Sequence, residues 1–498
     1  MKLKLIIPKS ERRFINDHRS IKELMDNKVW FAPISLPIIA ALTPQEVDVS
    51  ITDENIEPVD FNEKIDLVGI SASTPLAMRA YEIAENFKNR GVKVVLGGIH
   101  PSVLPDEAIG HADAVVIGEA ENVWGELIND FLSGRLKSFY KSSTKADLKK
   151  LIIPRWDLLK LDSYRAFLIQ TTRGCPFNCS FCSVKAFFGD GYRFKPIENL
   201  IQEIKTLQKL GCKGNFFFVD DNFASDTKRT AELLSVFKQL GVKNWTAQIS
   251  VNTDERVLKL MADCGCSHVV IGLESVSQKT VNSMNKGSVN RVEYYSRVIN
   301  RVHFYGIGVV GSFIVGHDSD DKTVFGEINK FVYANNIEFP LVSILTPYPG
   351  TGIAKQFQQE NRITCNNWRN YDNTTVCFVP RSLSGEDLYY YTNKINKEFY
   401  EYDNLYYRLS RSWKKGILVK KINIFGYFFN KKKLKLSLLA LKLKNKKKSW
   451  FILKSLWLMP SPKFYSIFLG LTLYDAFYNN TSGASSSKRP ERKEWITQ

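Results

Sequence analysis

The residues with the clearest chemistry are three thiols in the run C175-P-F-N-C179-S-F-C182, which follows an apolar strand, AFLIQTT (166–172), and a turn at Arg173-Gly174. Closely spaced thiolates on one loop can wrap a soft metal centre. A structural zinc takes four ligands, usually as two separated pairs. Here there are three, and the next cysteine, Cys212, lies a full helix away. Three thiolates around a cube of four irons would leave one iron without a protein ligand, open to substrate-like chemistry. A zinc knuckle completed from a distance and three unrelated buried thiols are the alternatives.

The elements that must hold this loop follow from the apolar pattern. Between residues 166 and 345 the runs AFLIQTT, NFFFVDD (215–221), NWTAQIS (244–250), HVVIGLES (268–275), GIGVVGSFIVG (306–316) and FPLVSILTP (339–347) read as strands. Amphipathic helices such as 197–211 and 229–241 separate them. Six strands with intervening helices predict a partial, barrel-like parallel sheet with functional residues at the strand C-terminal ends. Upstream, residues 1–140 predict a second α/β unit from the runs at 3–7, 47–51, 66–71, 92–98 and 113–118, with a helix at 78–91. Its strands end in small or polar residues, Ser71, Ser73 and Thr74, Gly97-Gly98, and Gly118-Glu119. Such ends admit a large ligand close to the backbone. Between residues 1 and 140 neither G-x-G-x-x-G nor G-x-x-x-x-G-K-[ST] occurs, which disfavours a dinucleotide or P-loop site there.

Composition sets the remaining bounds. A chain of 498 residues, 44% hydrophobic and 24% charged, predicts about three folded units. Eight cysteines are too few for a disulfide scaffold, and the start reads as a first strand rather than a signal peptide, which predicts a cytoplasmic protein. The net charge of +18 is concentrated, because residues 411–463 hold 16 basic residues and no acidic one. Lysine clusters there alternate with Phe, Leu, Ile and Trp, and no apolar run is long enough to span a bilayer. This pattern suits a peripheral helix on the cytoplasmic face of an anionic membrane. A helical domain with a solvated basic face is the alternative, and the aliphatic content argues against nucleic acid.

With C175-x3-C179-x2-C182 and Phe181 before the last cysteine, the sequence resembles the radical S-adenosylmethionine (SAM) enzymes. The resemblance implies a [4Fe-4S] cluster held by Cys175, Cys179 and Cys182, with SAM on the open iron, and an electron donor of the reductase or flavodoxin/ferredoxin type. It implies SAM contacts at Asp220, Asp221 and Asn222, at Asn252, at Glu274 and Ser275, and along the strand containing Gly311 and Gly316. The stretches 36–44, 52–60, 69–75, 94–107 and 115–121 resemble the cobalamin (B12) domain that precedes the cluster domain in one subclass. That likeness implies a cofactor pocket at Ser71, Ser73, Thr74, Gly97, Gly98, His100, Gly118 and Glu119. The D-x-H-x-x-G of other cobalamin domains is missing, since Asp17 and His18 are adjacent and no glycine follows at the required offset. Residues 339–410, through the stretches 345–363, 368–371 and 378–388, resemble the extension found in hopanoid-lipid-type members.

The expected architecture is therefore a Rossmann-like cobalamin domain (1–140), a linker (141–165), a partial (β/α)6 TIM-like radical SAM barrel (166–345), an extension (346–410), a mainly helical basic region (411–480) and a disordered tail (481–498). The activity implied is methylation of an unactivated carbon of a hydrophobic, lipid-like substrate through methylcobalamin and a 5′-deoxyadenosyl radical. A cyclase or oxidoreductase without methylation, a tRNA-modifying enzyme and a non-catalytic metal-stabilised membrane protein are the alternatives.

Overall fold

The computed structural model describes residues 1–9, 29–150, 152–212 and 214–414. The basic segment and tail expected beyond residue 414 lie outside them, as does His18.

Seven short strands open the chain: β1 (Lys2–Ile7), β2 (Val29–Ala32), β3 (Asp48–Asp53), β4 (Leu67–Ser71), β5 (Lys93–Gly97), β6 (Ala114–Ile117) and β7 (Phe139–Lys141). All but β2 form one parallel sheet in the order β3-β1-β4-β5-β6-β7. Its central strands read as unbroken apolar runs because both faces are covered. The helix Ala77–Lys88 buries Ala80, Tyr81, Ala84 and Phe87 at helical spacing, which docks it on the sheet.

The second sheet is built from β8 (Tyr164–Ile169), β11 (Phe216–Phe218), β12 (Trp245–Ile249), β13 (Cys266–Glu274), β14 (Gly308–Val315) and β15 (Phe339–Ile344). Between β8 and β11 a small antiparallel hairpin joins β9 (Thr172–Arg173) to β10 (Arg193–Phe194). The sheet order is β15-β14-β13-β12-β11-β8-β2, parallel throughout, and it curls toward a barrel without closing. The added strand β2 comes from the N-terminal region and pairs Val29, Phe31 and Ala32 with Tyr164, Ala166 and Phe167. Its four apolar residues are too few to announce a strand by period. They form one because β8 offers an open edge and Val29, Trp30 and Ala32 are buried there.

Helices cover the outer face. Thr227–Gln239 starts at Asp226, whose side chain accepts from Arg229 N, and Glu255–Asp263 starts at Asp254 in the same way. Such caps contribute ~1 kcal/mol each. Beneath them Phe218 stacks on Phe237 at 4.7 Å and meets Trp245 edge-on at 5.4 Å. All three are fully buried, each contributing roughly 1.5–3 kcal/mol of apolar burial.

The extension folds into three helices, Gly352–Gln359, Gly385–Tyr400 and Tyr402–Lys414. Gly385–Tyr400 seals the exposed edge β15. Asn396 Nδ2 donates to Val342 O at 2.7 Å, and its Oδ1 accepts from Val342 N at 3.2 Å, so one amide replaces a missing strand.

Candidate active site

The cysteine loop leaves the β9–β10 hairpin at Gly174, whose φ is +89°. A Cβ there would sit 2.3 Å from the carbonyl oxygen of Gly191, so only glycine fits the turn. Cys175 bridges to Asp190 on the returning chain. The middle of the loop is clamped from two sides. Ser180 N donates to Met284 O at 3.0 Å, and Ile353 N donates to Ser180 O at 2.8 Å.

Cys175, Cys179 and Cys182 are partly buried and free. Burial raises the pKa of each thiol, that of Cys182 to about 12. The thiols also raise one another's, Cys175 acting on Cys179 and both on Cys182. Among the described residues no three Cys, His, Asp or Glu side chains stand close enough to hold a single metal ion. Three soft thiols on one short loop are the donor type that iron–sulfur clusters take.

One neighbour of the thiols carried no signal in the sequence. Lys286 is partly buried, its ammonium paired with Glu274 and donating to Gly272 O at 3.2 Å. Desolvation would lower its pKa, but Glu274 and the thiols Cys179 and Cys182 outweigh it and hold it up. The ammonium lies 5.9 Å from the centre of the Phe181 ring. Glu274 ends β13 with a φ of +64° beside a register break, a strained position for a non-glycine residue.

The other expected contacts divide into those turned toward the protein and those left over. Asp220 is buried and fully engaged. It accepts from Thr171 N (2.7 Å), Thr172 N (2.6 Å) and Thr171 Oγ1 (2.8 Å), so it braces the end of β8 against the end of β11. Asp221 raises the pKa of Cys175 and Cys182, as Glu274 does that of Cys179. Burial, with Asp220 adding, pushes Asp221 itself up to about 6. Ser250 Oγ is buried without a hydrogen-bond partner, whereas Asn222 and Ser225 interact with the Tyr192 hydroxyl. An unpaired buried hydroxyl at a strand end fits a site that takes a polar ligand. Asn252 follows β12 in a turn and is exposed, whereas Ser275 is buried, its Oγ accepting from Ser277 N. Gly311 and Gly316 are packing positions. A Cβ on Gly311 would meet Ile337 and Leu273, and one on Gly316 would meet Leu388 at 2.7 Å.

In the first sheet the strand ends open on a cavity of about 210 Å³. Ser71, Gly97, Gly98, Gly118 and Glu119 line it, above an apolar floor that includes Leu5, Ile38 and Trp124. Gly98 has a φ of +97°, and a Cβ there would lie 2.7 Å from Ala72 O. The opposite wall belongs to the cysteine-loop region, through Gln170, Arg173, Phe187 and Phe188. A cofactor on the first sheet would therefore sit against the loop. Ser73, Thr74 and His100 take no part in the lining. His100 is fully buried, with Nε2 3.1 Å from Tyr81 Oη and 3.3 Å from Glu107 Oε1, and burial lowers its pKa. Trp368 of the extension packs edge-on against it and donates to the same Glu107 oxygen at 2.8 Å. The carboxylate of Glu119 is committed to Arg173 and Arg193 rather than to a ligand.

Comparison with known proteins agrees with this division. The family profile of the radical SAM superfamily matches residues 169–332, and that of the B12 binding domain matches residues 30–128. The bacteriochlorophyllide d C-12(1)-methyltransferase of Chlorobaculum tepidum is 35% identical over 80% of this chain and 87% of its own length. The hopanoid C-2 methylase of Rhodopseudomonas palustris is 25% identical over 72% of this chain and 70% of its own. Among solved structures, the cobalamin-dependent SAM radical enzyme OxsB with aqua-cobalamin and SAM bound shares the fold at a TM-score of 0.63. It has 14% identity and covers 97% of this chain and 80% of that one.

Proposed function

The chain belongs to the cobalamin-binding radical SAM enzymes, and on that premise we propose that it is a C-methyltransferase acting on an unactivated carbon of a large hydrophobic substrate. The observation that carries this reading is the shared wall of the cavity, where strand ends of the first sheet face residues flanking the cysteine loop. When bound, the cofactors supply reductive cleavage of SAM at a [4Fe-4S] cluster and a methyl group carried on cobalt.

The chain's own residues do the rest. Cys175, Cys179 and Cys182 hold the cluster, and the ammonium of Lys286 offsets thiolate charge beside it. Asp221 and Ser250 offer polar contacts to SAM at the ends of β11 and β12. Ser71, Gly97, Gly98 and Gly118 let cobalamin approach the first sheet. Phe187 and Phe188 line the wall between the two sites, where apolar side chains would exclude solvent and the side reactions it brings.

The substrate class is read from two supports. The names of the two relatives describe methylation of a bacteriochlorophyllide and a hopanoid. The 16 basic residues of 411–463, interleaved with aromatics, suit delivery from an anionic membrane surface. The hopanoid-type branch has the weaker support, since the bacteriochlorophyllide enzyme is more similar to this chain. Among the described residues no helix is long and apolar enough to cross a membrane. The electron donor in this reading is a reductase or a flavodoxin- or ferredoxin-type protein.

The test is anaerobic purification with cobalamin, iron and sulfide, then turnover of SAM with a chemical reductant and lipid and pigment extracts. Matched amounts of 5′-deoxyadenosine and S-adenosylhomocysteine, with a product heavier by one methylene, are expected. Deoxyadenosine without S-adenosylhomocysteine would replace methylation by cyclisation or oxidation. No SAM cleavage by an iron-loaded chain would overturn the reading.

A further inference from the structure

Four charged side chains meet where the first sheet touches the cysteine-loop hairpin. Glu119 and Glu121 follow β6. Arg173 stands two residues before Cys175, and Arg193 is its partner across the hairpin. Glu119 Oε1 accepts from Arg173 Nη1 at 2.7 Å and from Arg193 Nη1 at 2.9 Å, while Oε2 accepts from Arg193 Nη1 at 2.7 Å. Glu121 Oε1 lies 2.6 Å from Arg173 Nη1. The linker joins through Ala146, whose N–H donates to Glu119 Oε2 at 3.1 Å and whose carbonyl accepts from Arg193 Nη1 at 2.9 Å. One residue earlier, Lys145 Nζ donates at 2.5 Å to the carbonyl of Asp190, the residue bridged to Cys175. The side chains are only 8% (Glu119), 10% (Glu121), 7% (Arg173) and 19% (Arg193) exposed.

A cluster this buried gains little net stability over an apolar contact, because desolvating the charges offsets their attraction. What it does supply is direction. Glu119 and Glu121 meet the guanidiniums through Arg173 Nη1 and Arg193 Nη1, while Arg193 Nη2 is buried without a hydrogen-bond partner, so these ion pairs form in one relative placement of the segments that carry them. Those segments are the β6 end, which lines the cavity, and both strands of the hairpin whose turn is the cysteine loop. Apolar contact between the two sheets would tolerate sliding, whereas this cluster would be left with unpaired buried charge.

We propose that Glu119, Glu121, Arg173 and Arg193 form an inter-domain latch that fixes the separation between the cobalamin cleft and the cysteine loop. They are positioning residues: they touch neither reacting group and set the distance over which the two cofactor sites cooperate. The inference rests on the two-cofactor reading above, but the latch itself is a property of the protein.

The experiment uses the full chain carrying Glu119→Gln, Arg193→Gln or Arg193→Lys, with two readouts. The first is amide exchange on the chain without cofactors. Arg193→Gln and Glu119→Gln should speed exchange across 172–194 and 118–122 by on the order of a hundredfold, with β12–β14 unchanged. The second is the dipolar distance between cob(II)alamin and the reduced iron–sulfur cluster in the loaded chain. Its distribution should broaden in the Gln variants at unchanged iron and cobalt content, and narrow again in Arg193→Lys, which keeps the charge. Unchanged exchange and an unchanged distance distribution would overturn the latch, and so would exchange that rises uniformly in every strand. A chain that binds neither iron nor cobalamin would instead sink the two-cofactor reading, while the exchange readout still decides the latch.

Discussion

Replacing Gly174 by alanine tests how tightly the cysteine loop is specified. The residue sits at φ +89°, where a side chain costs roughly 1–2 kcal/mol. Its Cβ would lie 2.3 Å from Gly191 O, a backbone atom, and both residues sit on backbone that the hairpin and the Cys175–Asp190 bridge hold in place. Reaching even a 3.0 Å contact requires a shift of 0.7 Å (3.0 − 2.3). That exceeds the ~0.5 Å within which a ligand set must be held. Adding about 1–3 kcal/mol for overpacking gives ~2–5 kcal/mol against the native loop, at least a ~30-fold shift in its local equilibrium. Gly174→Ala should therefore lose most of its iron on anaerobic reconstitution, read as iron per chain. Gly241→Ala is the control. It has φ +64° and nothing within 4 Å, so it bears only the conformational cost and should load normally. Full iron loading by Gly174→Ala, with an unchanged thermal midpoint, would refute the reasoning.

Alanine at Cys175, Cys179 or Cys182 should abolish reductive SAM cleavage, measured as 5′-deoxyadenosine. Lys286→Met leaves the Glu274 charge buried alone and should cost ~3–5 kcal/mol in denaturant unfolding, with the Lys286→Met/Glu274→Gln pair recovering part of it. Burial pushes Asp320 up to about 6 from the ordinary 3.8, so the folded chain holds this proton more tightly than the unfolded chain does. Its stabilisation is full below the unfolded value and is lost as pH rises through about 6. Asp320→Asn should flatten that part of the stability–pH curve, read from urea midpoints. Ending the chain after residue 414 should release it from anionic vesicles in a flotation assay and leave iron loading intact.

The strands that carry the site were legible because each is a Val-, Ile- or Phe-rich run closed by a small or polar residue, and the three thiols announced themselves by spacing. Roles that depend on distant partners were not legible. Glu119 looked like a ligand contact at a strand end, but its partners lie 54 and 74 positions away. Asp220 looked available until Thr171 and Thr172 claimed its oxygens. His100 follows two glycines at a strand end, yet Tyr81 and Glu107 hold its ring away from the cavity lining. Lys286 sits in a polar stretch, N-K-G, that resembles any solvated turn. Local pattern predicts elements, whereas burial of a charge depends on what the fold brings opposite it.

The strand contributed by Val29–Ala32 has a consequence for how this protein can be taken apart. A fragment beginning at the linker would lack that strand, and β8, directly upstream of the hairpin and its cysteines, would present raw backbone donors and acceptors to solvent or to another chain. The two halves are thus stitched rather than strung together. Any attempt to graft the catalytic half onto a different cobalamin carrier must bring along those four residues, or invite aggregation at the seam.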